Sequence, residues 1–453
     1  YDAVLKNNLK TSIRDGVGID RETDASSRKT RAKYDFEVVL KDSDFAFKIA
    51  IYGNIRQEGE KILSCVLAEW QEGRGYLGGN IARGMGNIKL EDIKVFSLNL
   101  SNNETLMTFL KEDDETKSAE EEENWLETTI KGARVLIKND IGNEYLYNSF
   151  AQIDFKLKFL GGLVINDILK SVQSGFDFCP KMENGRFILP GSSLRGILRS
   201  HAERIARSLV TLSSDNEDEF LNRCPACNPF ADKEDPLISC NVLFREYKRT
   251  HEEEINDEKL CLACQLFGSS FKGSRLYIID GEMIDTPEIK IMDFLAIDRF
   301  TGGGKEGAKF DALVLWRPEF KLRIFIENPK NWQLGWLMLV LKDIKEGLVS
   351  FGFGKNKWFG RTTIEDETIK IGAISEKYNP AGIEKGNSYE GIFNTQSFKL
   401  QELIEKDSKP VELWIRDFHN RLSEFRRIDV FVPVSDTYFK DDISKLYPKE
   451  VEL

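Results

Sequence analysis

The chain has 453 residues, of which 41% are hydrophobic, with three histidines and a net charge of −11. That length suggests two to four domains with ample core, and no stretch approaches the roughly 20 apolar residues of a membrane helix. The negative total bears on solubility more than on partners: acidic residues crowd into 111–127, 213–220 and 252–258, leaving basic groups at 28–33, 195–207, 245–249 and 355–361.

From the N-terminus, Gly18-Ile-Asp-Arg-Glu-Thr23 leads through a basic linker to Ala32-Lys-Tyr-Asp35. Strand-like runs over 36–40 and 45–52 follow, then a helix over about 61–72. A glycine-rich loop over 75–86 carries Arg83 and precedes a short strand over 87–90. The acidic 111–127 segment reads as a solvated insertion. Residues 150–160 alternate apolar and polar, with Ile153, Phe155, Leu157 and Phe159 on one face, as a half-buried strand does.

Residues 187–199 predict a strand, a Pro190-Gly191 turn and a helix capped by Ser192 or Ser193. Leu194, Ile197, Leu198, Ile205 and Leu209 share one helical face, with Arg195, Arg199, Arg204 and Arg207 elsewhere. Unpaired N–H groups at Gly191, Ser192 and Ser193, beside Arg195 and Arg199, suit a phosphate. An ordinary capped helix with a solvated basic face reads equally well from spacing alone.

Two C-x-x-C pairs, Cys224/Cys227 and Cys261/Cys264, predict four thiolates for a structural Zn²⁺ in a reducing compartment. The site would pin an insertion over about 211–270. Cys240 and His251 lie between the pairs and could replace a ligand. Four thiolates leave no open coordination position, so this metal has no expected catalytic part.

Beyond 290 the first pattern returns. Ala296-Ile-Asp-Arg-Phe-Thr301, Ala308-Lys-Phe-Asp311, apolar runs over 312–316 and 322–326, a helix over about 332–345 and a glycine loop over 351–360 repeat the same landmarks about 275 residues on. One matched hexapeptide could be chance, but an ordered series points to two copies of one unit. Their order fits β-α-β-β-α-β units. The expected fold is therefore α+β, with two tandem ferredoxin-like or RRM-like domains. The boundaries are 1–100 for the later half of a first unit, 101–148 for an acidic linker, 149–374 for a second unit and 375–453 for an extension. In that extension Trp414, Phe418, Leu422 and Phe425 suggest an amphipathic helix for a partner subunit.

Leu189-Pro-Gly-Ser-Ser-Leu-Arg-Gly196, Cys261-Leu-Ala-Cys-Gln-Leu-Phe-Gly268 with Ser274-Arg275, Ala296-Ile-Asp-Arg299 and the closing glycine loop together resemble the RAMP superfamily of CRISPR effector proteins. More narrowly, they are similar to backbone subunits of type III interference complexes, here with two units fused in one chain. The resemblance covers about 150–370 with nearly all motifs and 11–95 with half of them. It implies a cytoplasmic prokaryotic protein, with no membrane, whose partners are guide RNA, complementary target RNA and other effector subunits. It implies an RRM-like palm on the guide RNA, a thumb hairpin, and a loop aspartate that cuts target RNA, which matches Asp177, with Asp167 as runner-up. Asp20-Arg21 and Asp298-Arg299 would brace the thumb bases. Arg83, Lys355, Lys357 and Arg361 would contact phosphates.

A loop carboxylate can position a 2′-hydroxyl or a divalent cation such as Mg²⁺ for attack on the adjacent phosphate. His201, His251 and His419 give little material for a two-histidine ribonuclease. A non-catalytic RNA scaffold, a precursor guide-RNA processing endoribonuclease, and an unrelated zinc-stabilised RNA-binding protein are the alternatives.

Overall fold

The computed structural model describes residues 3–5, 11–21, 26–27, 33–51, 53, 57–111, 119–139, 147–231, 235–250 and 257–427. His251, the basic residues 28–31 and the acidic stretches 112–118 and 252–256 lie outside them. The N-terminal part carries a hairpin of β1 (Thr11–Val17) and β2 (Lys33–Val39), and two helices, α1 (Gln57–Gln71) and α2 (Trp125–Asn139). The two helices pack through Ala68, Ile130 and Ala133.

The main sheet starts with β3 (Ser149–Phe159), where Ala151, Ile153, Phe155, Leu157 and Phe159 are buried and the residues between them are half-exposed. That is the two-residue period of a strand with one covered face. β4 (Arg186–Leu189) leads into α3 (Gly191–Leu212). An insertion carrying α4 (Cys240–Thr250) follows, then β5 (Leu276–Ile278) and β6 (Gly281–Met283). A long hairpin, β7 (Glu288–Ile297) and β8 (Gly304–Trp316), rises next. β9 (Glu319–Glu327), α5 (Asn331–Lys345) and β10 (Thr362–Ala373) close the unit.

β5 and β6 both pair with β9, β9 pairs with β3, and β3 pairs with β10, all antiparallel. Counting β5/β6 as one strand, the spatial order is 2-3-1-4 in a β-α-β-β-α-β chain, which is the ferredoxin-like arrangement. The insertion follows α3, and the long hairpin sits between the second and third strands.

α5 is apolar nearly all round because it is covered on two sides. Trp336 donates through Nε1 to Ala202 O of α3 at 3.0 Å. Phe418, in α6 (Pro410–Glu424), stacks on Trp336 with ring centroids 5.2 Å apart. Trp414, Phe418, Leu422 and Phe425 are all buried in the main core. The tail helix therefore exists, but its apolar face is spent within this chain rather than on a partner subunit. Each such side chain, once covered, stabilises the fold by about 1.5–3 kcal/mol.

The expectation of two tandem ferredoxin-like units is met by one sheet only. Among the described residues of 1–139 the strands pair two by two. These residues carry the motifs of the later half of the unit, with no long central strand of the β3 kind for the others to pair with.

Candidate functional site

The thiols of Cys227, Cys240, Cys261 and Cys264 lie within 4.8 Å of one another, all buried. Cys227 Sγ and Cys264 Sγ are 3.7 Å apart. Four sulfurs bound tetrahedrally at about 2.3 Å from one ion stand about 3.8 Å apart, so the group fits a closed metal centre. Soft thiolates in that geometry favour zinc. The set corrects the expected one, because Cys240 takes the place of Cys224. Cys224 sits in extended conformation just after a short helix, and its thiol donates to Ala226 O at 3.2 Å. Cys240 opens α4 and faces the cluster.

A buried and a partly buried guanidinium lie beside this centre. Arg199 Nη2 lies 3.4 Å from Cys264 Sγ, and Arg207 donates to Ala226 O and Cys227 O. Both flank Glu203 by one helical turn, a spacing that brings side chains together. Glu203 Oε1 accepts from Arg199 Nε at 2.8 Å, and Oε2 from Arg21 Nε at 2.9 Å. Burial alone would push the Glu203 carboxyl up, but Arg21, Arg199 and Arg207 together hold it below its ordinary range. Glu203 is not among the candidates named from the sequence; its signal there is its place four residues from each of two arginines, Arg199 and Arg207.

The helix start that was expected to hold phosphate is closed. α3 begins at Gly191 with no side-chain cap from Ser192 or Ser193, and the Gly191 N–H donates to Asp280 Oδ1 at 2.8 Å. A Cβ on Gly191 would stand 3.0 Å from Arg83 O and 3.1 Å from the Gly84 Cα, so the first glycine loop lies directly over this turn. Arg195 donates to Phe267 O, and Arg199 to Glu203 and to Gly268 O. Ser192 and Ser193 are half-buried. An internal carboxylate thus accepts from the first of these N–H groups, and both arginines bond within the chain.

The same Asp280 binds the N-terminal hairpin. Arg14 of β1 reaches Glu183 through Nε and Nη2, both at 2.8 Å, and Asp280 through Nη1 at 3.1 Å and Nη2 at 2.6 Å. Lys181 Nζ donates to Ile13 O. A planar guanidinium serving two carboxylates in a buried site is a geometry lysine cannot reproduce.

Asp177 is exposed on the loop that precedes β4. Its N–H donates to Asp311 Oδ1, and the Asp311 N–H donates back to Asp177 Oδ2, each at 2.9 Å. Next to it, Phe178 stacks on Phe353 at 4.3 Å and bridges to Ala312 of β8. The loop is thereby fixed to the foot of the long hairpin, with Asp177 itself exposed. Asp167, the runner-up, is buried; it caps a short helix through the Lys170 N–H and pairs with Lys181 Nζ at 3.1 Å.

Asp298 and Arg21 each bond away from the neighbouring residue of their Asp–Arg motif. Asp298 Oδ1 accepts from the N–H groups of Phe300 and Thr301 and forms the turn at the tip of the β7–β8 hairpin. These two backbone N–H groups hold its carboxyl below the ordinary range. Arg299 is exposed beside it, and Arg21 crosses to Glu203 instead. Asp20 is half-exposed beyond β1. A turn aspartate needs only local N–H groups, whereas Arg21 found a carboxylate on α3.

The two glycine loops share one backbone path. Gly78, Asn80, Gly84 and Gly86 have φ of 82°, 56°, 90° and 71°; Gly352, Gly354, Trp358 and Gly360 have 75°, 79°, 65° and 75°. In both, a backbone N–H near the start closes the loop on its last glycine, Leu77 to Gly86 O and Phe351 to Gly360 O. Arg83 of the first loop is half-buried and donates to Tyr34 OH. Lys355 and Lys357 are exposed, and the Arg361 guanidinium lies 4.5 Å from the Trp358 ring centre.

Residues 180–364 match the RAMP superfamily. This domain spans α3, the cysteine insertion, the long hairpin and the second glycine loop; Asp177 and β3 precede it. No curated protein matches the chain. No described helix is long and apolar enough to cross a membrane.

Proposed function

We propose that this chain is a guide-RNA-binding backbone subunit of a type III CRISPR interference complex, with two units fused in one polypeptide, and that Asp177 takes part in cutting complementary target RNA. The reading rests on one placement. An exposed carboxylate precedes the RAMP superfamily domain by three residues and is held at the foot of its long hairpin by Asp311. A hairpin that displaces a nucleotide there would set its 2′-hydroxyl in line with the neighbouring phosphate. Asp177 would position that hydroxyl, or a divalent cation such as Mg²⁺, while the 2′-oxygen bonds to phosphorus and the bond to the 5′-oxygen breaks. The proton ends on the departing 5′-oxygen, leaving a cyclic 2′,3′-phosphate. Cys227, Cys240, Cys261 and Cys264 would hold a structural zinc ion with no open position for chemistry.

Phosphate contacts fall to Lys355, Lys357 and Arg361, with Arg83 at the junction between the two halves. Such contacts position RNA, and pairing with the guide supplies sequence choice. Precursor processing by paired histidines finds less support, since His201 is engaged with Asp343 at 2.6 Å. The test is Asp177→Ala in the assembled complex, with end-labelled target RNA. Loss of cuts with target binding retained is expected. Unchanged cleavage at every position overturns the catalytic role, and a complex purified without guide-length RNA overturns the wider reading.

A further inference from the structure

Trp358 stands where the matching loop has Gly84. Gly84 needs to be glycine, because its φ is +90° and a Cβ would lie 2.9 Å from both Asp280 Oδ1 and Ile278 O. The second loop keeps the left-handed conformation at this point, φ +65°, yet fills it with the bulkiest side chain there is. That backbone region is costly for such a residue, and strain of this kind concentrates at functional sites. Trp358 is also 72% exposed, so packing within the chain does not compensate for it.

The surroundings are cationic. The Arg361 guanidinium lies 4.5 Å from the ring centre and occupies one side of it. Lys357, one residue away, lies over Phe294 and Phe310 at 5.4 and 5.8 Å. Among the described residues neither Lys357 nor Arg361 has a carboxylate partner. A buried protein contact would call for an apolar or acidic surround. An open aromatic face beside unpaired cations instead matches single-stranded nucleic acid, whose bases stack while its phosphates take the positive charge.

Building on the RNA-binding reading above, we propose that Trp358 is a stacking platform for one base of a single-stranded RNA whose phosphates run past Lys357 and Arg361. The first loop has no such platform, since Gly84 is closed over by the turn at Gly191.

The probe is a fluorescein-labelled single-stranded RNA carrying the fluorescent base 2-aminopurine at successive positions, titrated into the full chain at fixed salt. Trp358→Ala and Trp358→Gly are expected to weaken binding about 5- to 150-fold. Trp358→Phe should bind within a few-fold of the original. With the original chain, one 2-aminopurine position should be quenched, and both truncations should abolish that quenching. Trp358→Gly also relieves the backbone, so a melting temperature at or above the original excludes misfolding as the cause. Equal affinity and equal quenching in all variants overturn the platform. So does unchanged RNA binding with lost association to a partner subunit, which would assign Trp358 to a protein contact. If the original chain binds no RNA at all, the functional reading itself falls, whatever the variants do.

Discussion

Arg21, just beyond the N-terminal hairpin, donates to Glu203 of α3 at 2.9 Å, and the Glu203 side chain is fully buried. This contact joins the first part of the chain to a helix that also contacts the cysteine centre. Removing one partner of a buried charge network leaves the others uncompensated, at a cost of about 3–5 kcal/mol. Glu203→Gln should therefore lower the urea midpoint clearly at neutral pH. The sign with pH follows from the depressed carboxyl. Its stabilisation is present above the unfolded value of about 4.3 and is lost as pH falls through the lower folded value. The gap between original and variant should close in acid; a gap that widens there would contradict the assignment.

The cysteine centre separates two substitutions that look alike in sequence. Cys240→Ser removes a thiol from the cluster, whereas Cys224→Ser removes one outside it, which donates to Ala226 O. Zinc content should fall and melting temperature drop, on the order of 10 °C, for the first alone. Chelation should bring the original protein to the same point. Full zinc content in Cys240→Ser with loss in Cys224→Ser would restore the ligand set expected from the C-x-x-C spacing.

Arg14 connects β1 to Glu183 and Asp280. Arg14→Ala leaves two nearly buried carboxylates without their partner, which costs about 3–5 kcal/mol. Arg14→Lys should recover little, because an ammonium cannot reproduce the fork. Hydrogen exchange over 11–17 and 33–39 is the measurement, and both variants should raise it while leaving β3 protected. Unchanged protection in Arg14→Ala would mean that the hairpin is held by other contacts.

Features set by neighbours in sequence were legible from the chain alone. The alternation expected over 150–160, the apolar run of α5 and the amphipathic tail helix each follow from side-chain period, and each is present as a strand or helix. The repeated glycine loops were visible for the same reason: positive φ restricts residue choice, and the restriction recurs at matching places. Trp358 hid within that pattern, since its importance comes from occupying a glycine's conformation.

What only the tertiary structure decided was which groups meet across long separations. The C-x-x-C spacing named four cysteines, but the direction of each thiol depends on the helix ends around it, and that exchanged Cys224 for Cys240. The Pro190-Gly191 turn promised open N–H groups, until Asp280, from 89 positions away, accepted the first of them. Arg21 next to Asp20 suggested a local pair, yet its partner was Glu203 on α3. Local sequence sets period and backbone preference, whereas a buried charge settles wherever the fold brings an opposite one, because desolvation without a partner costs more than any local preference returns.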